Sequence, residues 1–407
     1  MERIISQDFK ETEIGPIPKE WEVVRLGDIA EIKYGRSNPN IIGKVPVIGS
    51  GGVYDYTSTP LIDFPTIVIG RKGTAGKTWL IEIPSYPSDT TFYLIIKREL
   101  LLKFIYFYML KFPLSGEHAK TTLPSLQKPD LENYNLPLPP IPEQRAITNV
   151  LSTIQENIEK TENVINSTKE LKKSLMTHLF TYGPVPINEA GKVKLKETEV
   201  GLISEEWDVV GLGDLFEIQQ GITLCREPSP DKFLKPFLRT SNVFWGKIDL
   251  SNLDSMYFSE KQLQSLTLKS KDLLICEGGD IGRTAMWNEQ IAECCHQNHL
   301  HRLRAKNGLE TLPEFYMYWM QFGMLIRGLY SEEGNKTTIP NLSRSRLSNF
   351  LIPIPPLPIQ KEIADTLSTV DAKIEAEENK AKALEKLFQS LLNDLMTGKI
   401  RVREELA

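Results

Sequence analysis

Two stretches of the chain carry a largely apolar stripe at helical spacing, and each follows a proline-rich run (137–142 and 353–358). Over 359–397, Ile363, Leu367, Val370, Ile374, Ala381, Leu384, Phe388, Leu391 and Leu395 recur at alternating steps of four and three, with Glu377 at the one charged seam position. That is the heptad period of paired helices. Over 143–182 the matching positions are Ile147, Leu151, Ile154, Ile158, Thr161, Ile165, Thr168, Lys172, Leu175 and Leu179, with a weaker, polar middle. Neither stretch contains Pro or Gly. Each predicts a helix about 57 Å long at 1.5 Å per residue. A single apolar stripe of that length needs a partner. The simplest is the other helix, paired antiparallel, with a globular part near each end and the coiled coil as a ruler between them. The alternative packs each helix on its own globular part.

The segments between are different in kind. Short β-type runs at 45–48, 66–69, 92–96, 273–276 and 299–304 alternate with turn signals. Helical patterns cover 101–111 and 313–329. Each segment predicts a mixed α/β domain with a twisted sheet.

The two halves are copies. Residues 11–35 (ETEIGPIPKEWEVVRLGDIAEIKYG) and 197–221 (ETEVGLISEEWDVVGLGDLFEIQQG) share about 15 of 25 positions at a shift of 186. Residues 123–144 match 339–360 at a shift of 216, so the second middle is longer by 30. The ends of each unit are alike and the middles differ, as expected if one frame carries two versions of one job. The resulting architecture is mixed α/β with a pseudo-twofold internal repeat. It divides into a first globular domain (1–140), a first helix (141–183), a linker with the second globular domain (184–356), and a second helix with its tail (357–407).

One motif recurs in both middles. Gly73-Thr74-Ala-Gly76-Lys77-Thr78 matches Gly279-Asp-Ile-Gly282-Arg283-Thr284, each after a β run, and Arg71 and Lys72 precede the first copy. A phosphate-binding P-loop would need glycine where Arg71 stands, so nucleotide hydrolysis is not expected. Glycine permits close backbone approach, and Lys or Arg on such a loop suits phosphate oxygens or a guanine edge. A plain hairpin turn with a surface charge fits the spacing equally well.

Composition changes this picture little. Apolar residues make up 41% and charged residues 25% of 407, as in an ordinary globular protein. Net charge is −5, which argues weakly against nucleic acid, but 33–140 is net +4 and 218–356 net +2. The four cysteines, Cys225, Cys276, Cys294 and Cys295, make no secreted disulfide framework. No apolar run reaches bilayer length and no leader core opens the chain, so a cytoplasmic protein without membrane contact is expected. The run 294–301 (CCHQNHLH) looks like a metal site, but alternate strand residues face opposite sides, so a half-buried strand is expected instead. No nucleophile-elbow, zincin or dinucleotide motif is present, so no catalytic or metal-binding residue is assigned.

These residues resemble the specificity subunits of Type I restriction-modification systems over nearly the whole chain. The likeness rests on W-x-V-V-x-L-G-D at 21–28 and 207–214, on the proline-rich runs 138–144 and 354–360, and on LMTGKIRV at 395–402, with 175–182 similar to the close of the first helix. Within the middles, 48–54 (IGSGGVY) and 239–243 (RTSNV) also resemble family segments, adding Ser50, Tyr54, Arg239, Ser241 and Asn242 to the DNA-contact candidates. Ile359 stands where the first copy has Glu143, a departure from the motif. The resemblance implies that each globular domain is a target-recognition domain reading one half of a split double-stranded DNA site. The helices then set the unread spacer. Two methyltransferase subunits using S-adenosylmethionine, and restriction subunits using ATP and Mg, would join as partners. The chain itself would bind no cofactor and catalyse nothing. The rival reading is a non-catalytic scaffold that spaces protein partners without touching DNA.

Overall fold

Both apolar stripes are helical. One helix spans Ile141–Tyr182 and the other Leu357–Met396. Each begins two residues before its uninterrupted stretch because Pro142 and Pro358 fall in the first turn, where a missing N–H costs nothing. Glycines in the left-handed region follow both ends, Gly183 (φ 82°) and Gly398 (φ 68°), as is usual past a helix C-terminus. The computed structural model describes residues 9–97, 100–114, 125–329 and 342–402. The opening residues (1–8) and the first residues of the second repeated pair (123–124, 339–341) lie outside them.

Every seam position of both helices is buried or half-buried. The polar ones are satisfied locally. The Thr161 and Thr168 hydroxyls donate to the carbonyl oxygens of Asn157 and Val164, each at 2.7 Å. Lys172 Nζ meets Asp371 Oδ1 at 2.7 Å and Gln321 Oε1 at 3.1 Å, and lies 5.1 Å from the centre of the Tyr318 ring. The Tyr318 hydroxyl donates to Asp371 Oδ2 at 2.9 Å. A lysine in the stripe is thus paired rather than stranded, as a buried charge must be.

Contacts divide the chain into two units, Met1–Asn163 with Glu378–Ala407, and Val164–Glu377. Each unit takes one head and a part of each long helix. In the first unit the core joins Ile147 and Leu151 to Leu392, Leu395 and Met396, together with Trp21, Leu26, Phe92 and Phe104. In the second it joins Met176, Leu179 and Phe180 to Ile363, Ala364 and Leu367, together with Trp207, Leu212, Phe216 and Phe315.

The heads share one topology. In the first, Ala30–Tyr34, Thr91–Ile96, Thr66–Gly70 and Thr78–Ile81 lie side by side in that order, all antiparallel. In the second the same places are held by Phe216–Gln220, Leu300–Ala305, Leu273–Cys276 and Thr284–Met286. A smaller sheet repeats as well. Ile42–Gly49 pairs antiparallel with Gly52–Thr57 and parallel with Tyr86–Pro87. Lys232–Leu238 pairs antiparallel with Asp254–Ser259 and parallel with Cys295–His296. The middles that look unrelated in sequence therefore keep one scaffold. Much of the second head's added length sits where the first has the turn 50–51; there 239–253 inserts a 3-10 turn and a small hairpin.

The repeated sequence builds the base of each head. The opening motif forms Glu22–Arg25, which pairs antiparallel with Asn135–Leu138 of the proline-rich run. The copy, Asp208–Gly211, pairs with Leu351–Ile354. Trp21 and Trp207 are buried beneath Gly398 and Gly183, whose added Cβ atoms would come 3.5 and 3.4 Å from the indole rings. The last glutamine of each run is a clamp. Gln144 accepts the Leu101 N–H (3.0 Å) and donates to the Pro139 oxygen (2.8 Å). Gln360 accepts the Leu312 N–H (2.9 Å) and donates to the oxygens of Glu310 and Pro355. Leu101 and Leu312 precede the head helices Leu102–Lys111 and Pro313–Leu325, so each clamp fixes a head helix to the start of a long one. The second head helix ends before the expected residue 329. Gly328 has φ 63°, and the Arg327 guanidinium turns to the oxygens of Val200 and Leu202 and to the Thr181 hydroxyl. Among the described residues no helix is long and apolar enough to cross a membrane.

Two predictions follow from this packing. Gln144→Ala and Gln360→Ala should each lower unfolding free energy by about 1–3 kcal/mol, because each leaves a half-buried N–H without its acceptor; denaturant melts of the two variants check this. His296 is wholly buried, and burial pushes its pKa from 6.5 down to about 4. Above pH 6.5 it is neutral folded or unfolded. Below that the unfolded chain takes up the proton first, so stability should fall by about 1.4 kcal/mol per pH unit towards pH 4. His296→Gln should flatten that slope, read from urea midpoints across the range.

Candidate nucleic-acid interface

The recurring glycine motif is a hairpin connection in both heads. It joins Thr66–Gly70 to Thr78–Ile81, and Leu273–Cys276 to Thr284–Met286. Antiparallel strands flank it and no helix follows, so it lacks the helix N-terminus on which a P-loop depends. The two backbone hydrogen bonds that close the turn coincide. Gly70 N–H donates to the Lys77 oxygen (2.8 Å) and Gly76 N–H to the Gly70 oxygen (2.9 Å). In the second head Cys276 N–H donates to the Arg283 oxygen (2.9 Å) and Gly282 N–H to the Cys276 oxygen (3.0 Å). Gly73 and Gly279 have φ 79° and 74°, Gly76 and Gly282 φ 82° and 81°, which is why glycine recurs at these places.

In the first head this hairpin gathers several candidates. Ser50 leans on it; a Cβ added at Gly73 would lie 3.3 Å from its hydroxyl. The Ser50 N–H donates to the Thr90 hydroxyl at 3.1 Å, which brings in the turn before Thr91–Ile96. The Arg71 guanidinium stacks on Tyr34 and Phe92, 5.2 and 6.0 Å from the ring centres. Lys77 is exposed, with its ammonium 5.4 Å from the centre of the Trp79 ring. Lys72, Gly73, Thr74 and Tyr54 are exposed too. Ammonium and guanidinium groups beside aromatic rings, of which Tyr34 is exposed and Trp79 half-buried, can meet both phosphates and bases.

The second head places its candidates differently. Arg283 is only 15% exposed; it donates to the Thr240 oxygen at 3.0 Å, pairs with Asp280 at 3.2 Å and stacks 5.2 Å over the Phe244 ring. It ties the hairpin to the RTSNV segment instead of standing free. Arg239 pairs with Asp254 at 3.0 Å. Ser241 and Gly279 are exposed.

Several sequence candidates are corrected. Asn242 is buried, accepting the Arg239 N–H and donating to the oxygens of Asp249 and Asn252, so it shapes its turn and faces no DNA. Thr78 and Thr284 are buried, and the Thr284 hydroxyl donates to the Gly282 oxygen. Gly76 and Gly282 are buried as well, against the Leu114 backbone and the Met324 side chain respectively. Tyr34, Trp79, Thr90 and Phe244 were not legible as part of this surface. Tyr34 lies next to the repeated Gly35, and Phe244 directly after RTSNV; Trp79 and Thr90 have no signal in the sequence.

The CCHQNHLH run separates into strands of two different sheets, Cys295–His296 and Leu300–Ala305. Cys294, Cys295, His296 and His301 are buried. Burial raises the Cys294 thiol to about 12 and Cys295 to about 11, so both stay protonated and poor ligands. Among the described residues no group of three or more metal-ligating side chains comes together.

Comparison with known proteins places this architecture. The Type I restriction modification DNA specificity domain matches residues 18–169 and again 204–386. The Type I restriction enzyme MjaVIII specificity subunit of Methanocaldococcus jannaschii is 27% identical, over 98% of this chain and 97% of that protein. The EcoBI specificity subunit of Escherichia coli is 22% identical over 96% and 82%. The solved S subunit of the M. genitalium Type I system has the same fold, with TM-score 0.61 and 18% identity over 92% of this chain and 96% of that one. The family match covers both heads and reaches into both long helices, and the chain belongs to the Type I restriction-modification specificity subunits, with the DNA specificity domain present twice.

Proposed function

We propose that residues 1–140 and 184–356 are target-recognition domains that read the two halves of a split, asymmetric DNA site. The observation that carries this is the pair of glycine hairpins, with one backbone, one place in one sheet order, and different side chains. A shared scaffold with exchanged surface groups is what two related but unequal base-reading tasks require. Head 1 offers Ser50, Tyr54, Arg71, Lys72 and Lys77 to DNA, and head 2 offers Ser241 and Gly279 at its exposed hairpin face.

The helices Ile141–Tyr182 and Leu357–Met396 pair antiparallel in this reading and set the unread spacer. Support comes from each core, where the start of one helix shares a cluster with the end of the other. Ile154, Ile158, Val370, Ile374, Leu384 and Leu391 continue the seam between, all buried or half-buried. The chain itself carries no chemistry. Two methyltransferase subunits with S-adenosylmethionine, and restriction subunits with ATP and Mg, supply it.

Exchange of residues 36–120 for the matching segment of a relative should alter one half of the methylated motif and leave the other intact, read by methylome sequencing; a motif changed in both halves or in neither removes the modular reading. Deleting four residues, about one turn, from either long helix should shorten the spacer. Lys77→Ala should weaken binding of the assembled methyltransferase to DNA and lower the salt slope by about one. Arg283→Ala should weaken binding with no change in that slope, because its guanidinium is already engaged by the protein. If a DNA-binding titration with the methyltransferase present gives no binding at all, the scaffold reading takes over.

A further inference from the structure

The two hairpins hold opposite chemistry at equivalent places. Matching the glycines puts Glu277 where Arg71 stands, Gly278 at Lys72, Asp280 at Thr74 and Arg283 at Lys77. The first hairpin has three cationic side chains and no acid. In the second, Glu277 is buried and accepts the Gln220 amide at 2.8 Å, while Arg283 is drawn inward by the Thr240 oxygen and the Phe244 ring. The charged group left at the tip is Asp280, whose side chain is 78% exposed. Its Oδ2 is held by Arg283 Nη1, so the carboxylate is oriented by a half-buried cation.

A carboxylate at the tip of a DNA-facing loop is repelled by phosphates and accepts hydrogen bonds only. In the major groove guanine offers two acceptors, thymine one with a methyl group, and adenine a donor beside an acceptor; the cytosine edge is a donor alone. We infer that Asp280 is a specificity-determining residue of the second head, accepting the exocyclic amine of one cytosine in its half-site, while the cationic first hairpin is suited to guanine edges or phosphate. This rests on the DNA-reading function proposed above.

The test uses the full chain assembled with its methyltransferase, comparing the wild type with Asp280→Ala and Asp280→Asn by methylome sequencing. The expected result is a G·C pair in the half assigned to the second head that becomes degenerate in both variants. Preference for cytosine there should drop at least about fivefold, the low end of one base contact, with the other half unchanged. A second-head half-site without a G·C pair, or the wild-type motif in both variants, overturns the inference and leaves the DNA-reading function standing. Thermal melts run alongside: variants that lose methylation by unfolding make Asp280 a clamp on Arg283, which also overturns it. Absence of any split motif in the wild type instead defeats the underlying reading.

Discussion

Each head is closed at its base by one antiparallel pair, Glu22–Arg25 with Asn135–Leu138, and its copy Asp208–Gly211 with Leu351–Ile354. The rest depends on this closure. It returns the chain to where the excursion began, so whatever lies between can change without disturbing what lies outside. The buried tryptophan before each opening strand and the glutamine clamp after each closing one then fasten the base to the long helices. A lost clamp strands a half-buried backbone N–H beside the core, which costs more than an unmade surface contact.

This explains why the two repeated segments are the alike ones. They touch each other across a two-stranded ladder, and each touches a helix, so a change in one needs a matching change in two partners. Apart from the head helices, which pack on the long ones, the middles answer to their own sheets. Their strand order is nonetheless the same, and the registers at the hairpin correspond. Divergence has therefore worked on side chains at loop tips, where Arg71 and Lys77 in one head are set against Glu277 and Arg283 in the other.

The long helices were legible because a stripe repeated over many turns leaves no other fold that buries it. Their polar seam residues looked like defects and are instead paired, which only the positions of Asp371, Gln321 and Tyr318 reveal. The glycine hairpins were legible as a motif but not as a surface. Nothing in the spacing distinguishes exposed Lys77 from engaged Arg283, because the difference lies in Thr240, Asp280 and Phe244, supplied largely by another segment. Asn242 and Thr284 were misread for the same reason: a polar residue in a turn serves its own backbone as readily as a ligand.

The first core is completed by Leu392, Leu395, Met396 and Val402, and Arg401 joins Glu143 and Glu20 beside Trp21. The second core needs nothing beyond residue 377. On the ribosome the order of maturation is therefore the reverse of the order of synthesis. At about 5–20 residues per second, the first head waits on the order of 10–50 seconds with part of its base uncovered after its own residues have emerged. The second head can finish first, and the last turn of the last helix is what completes the beginning of the chain.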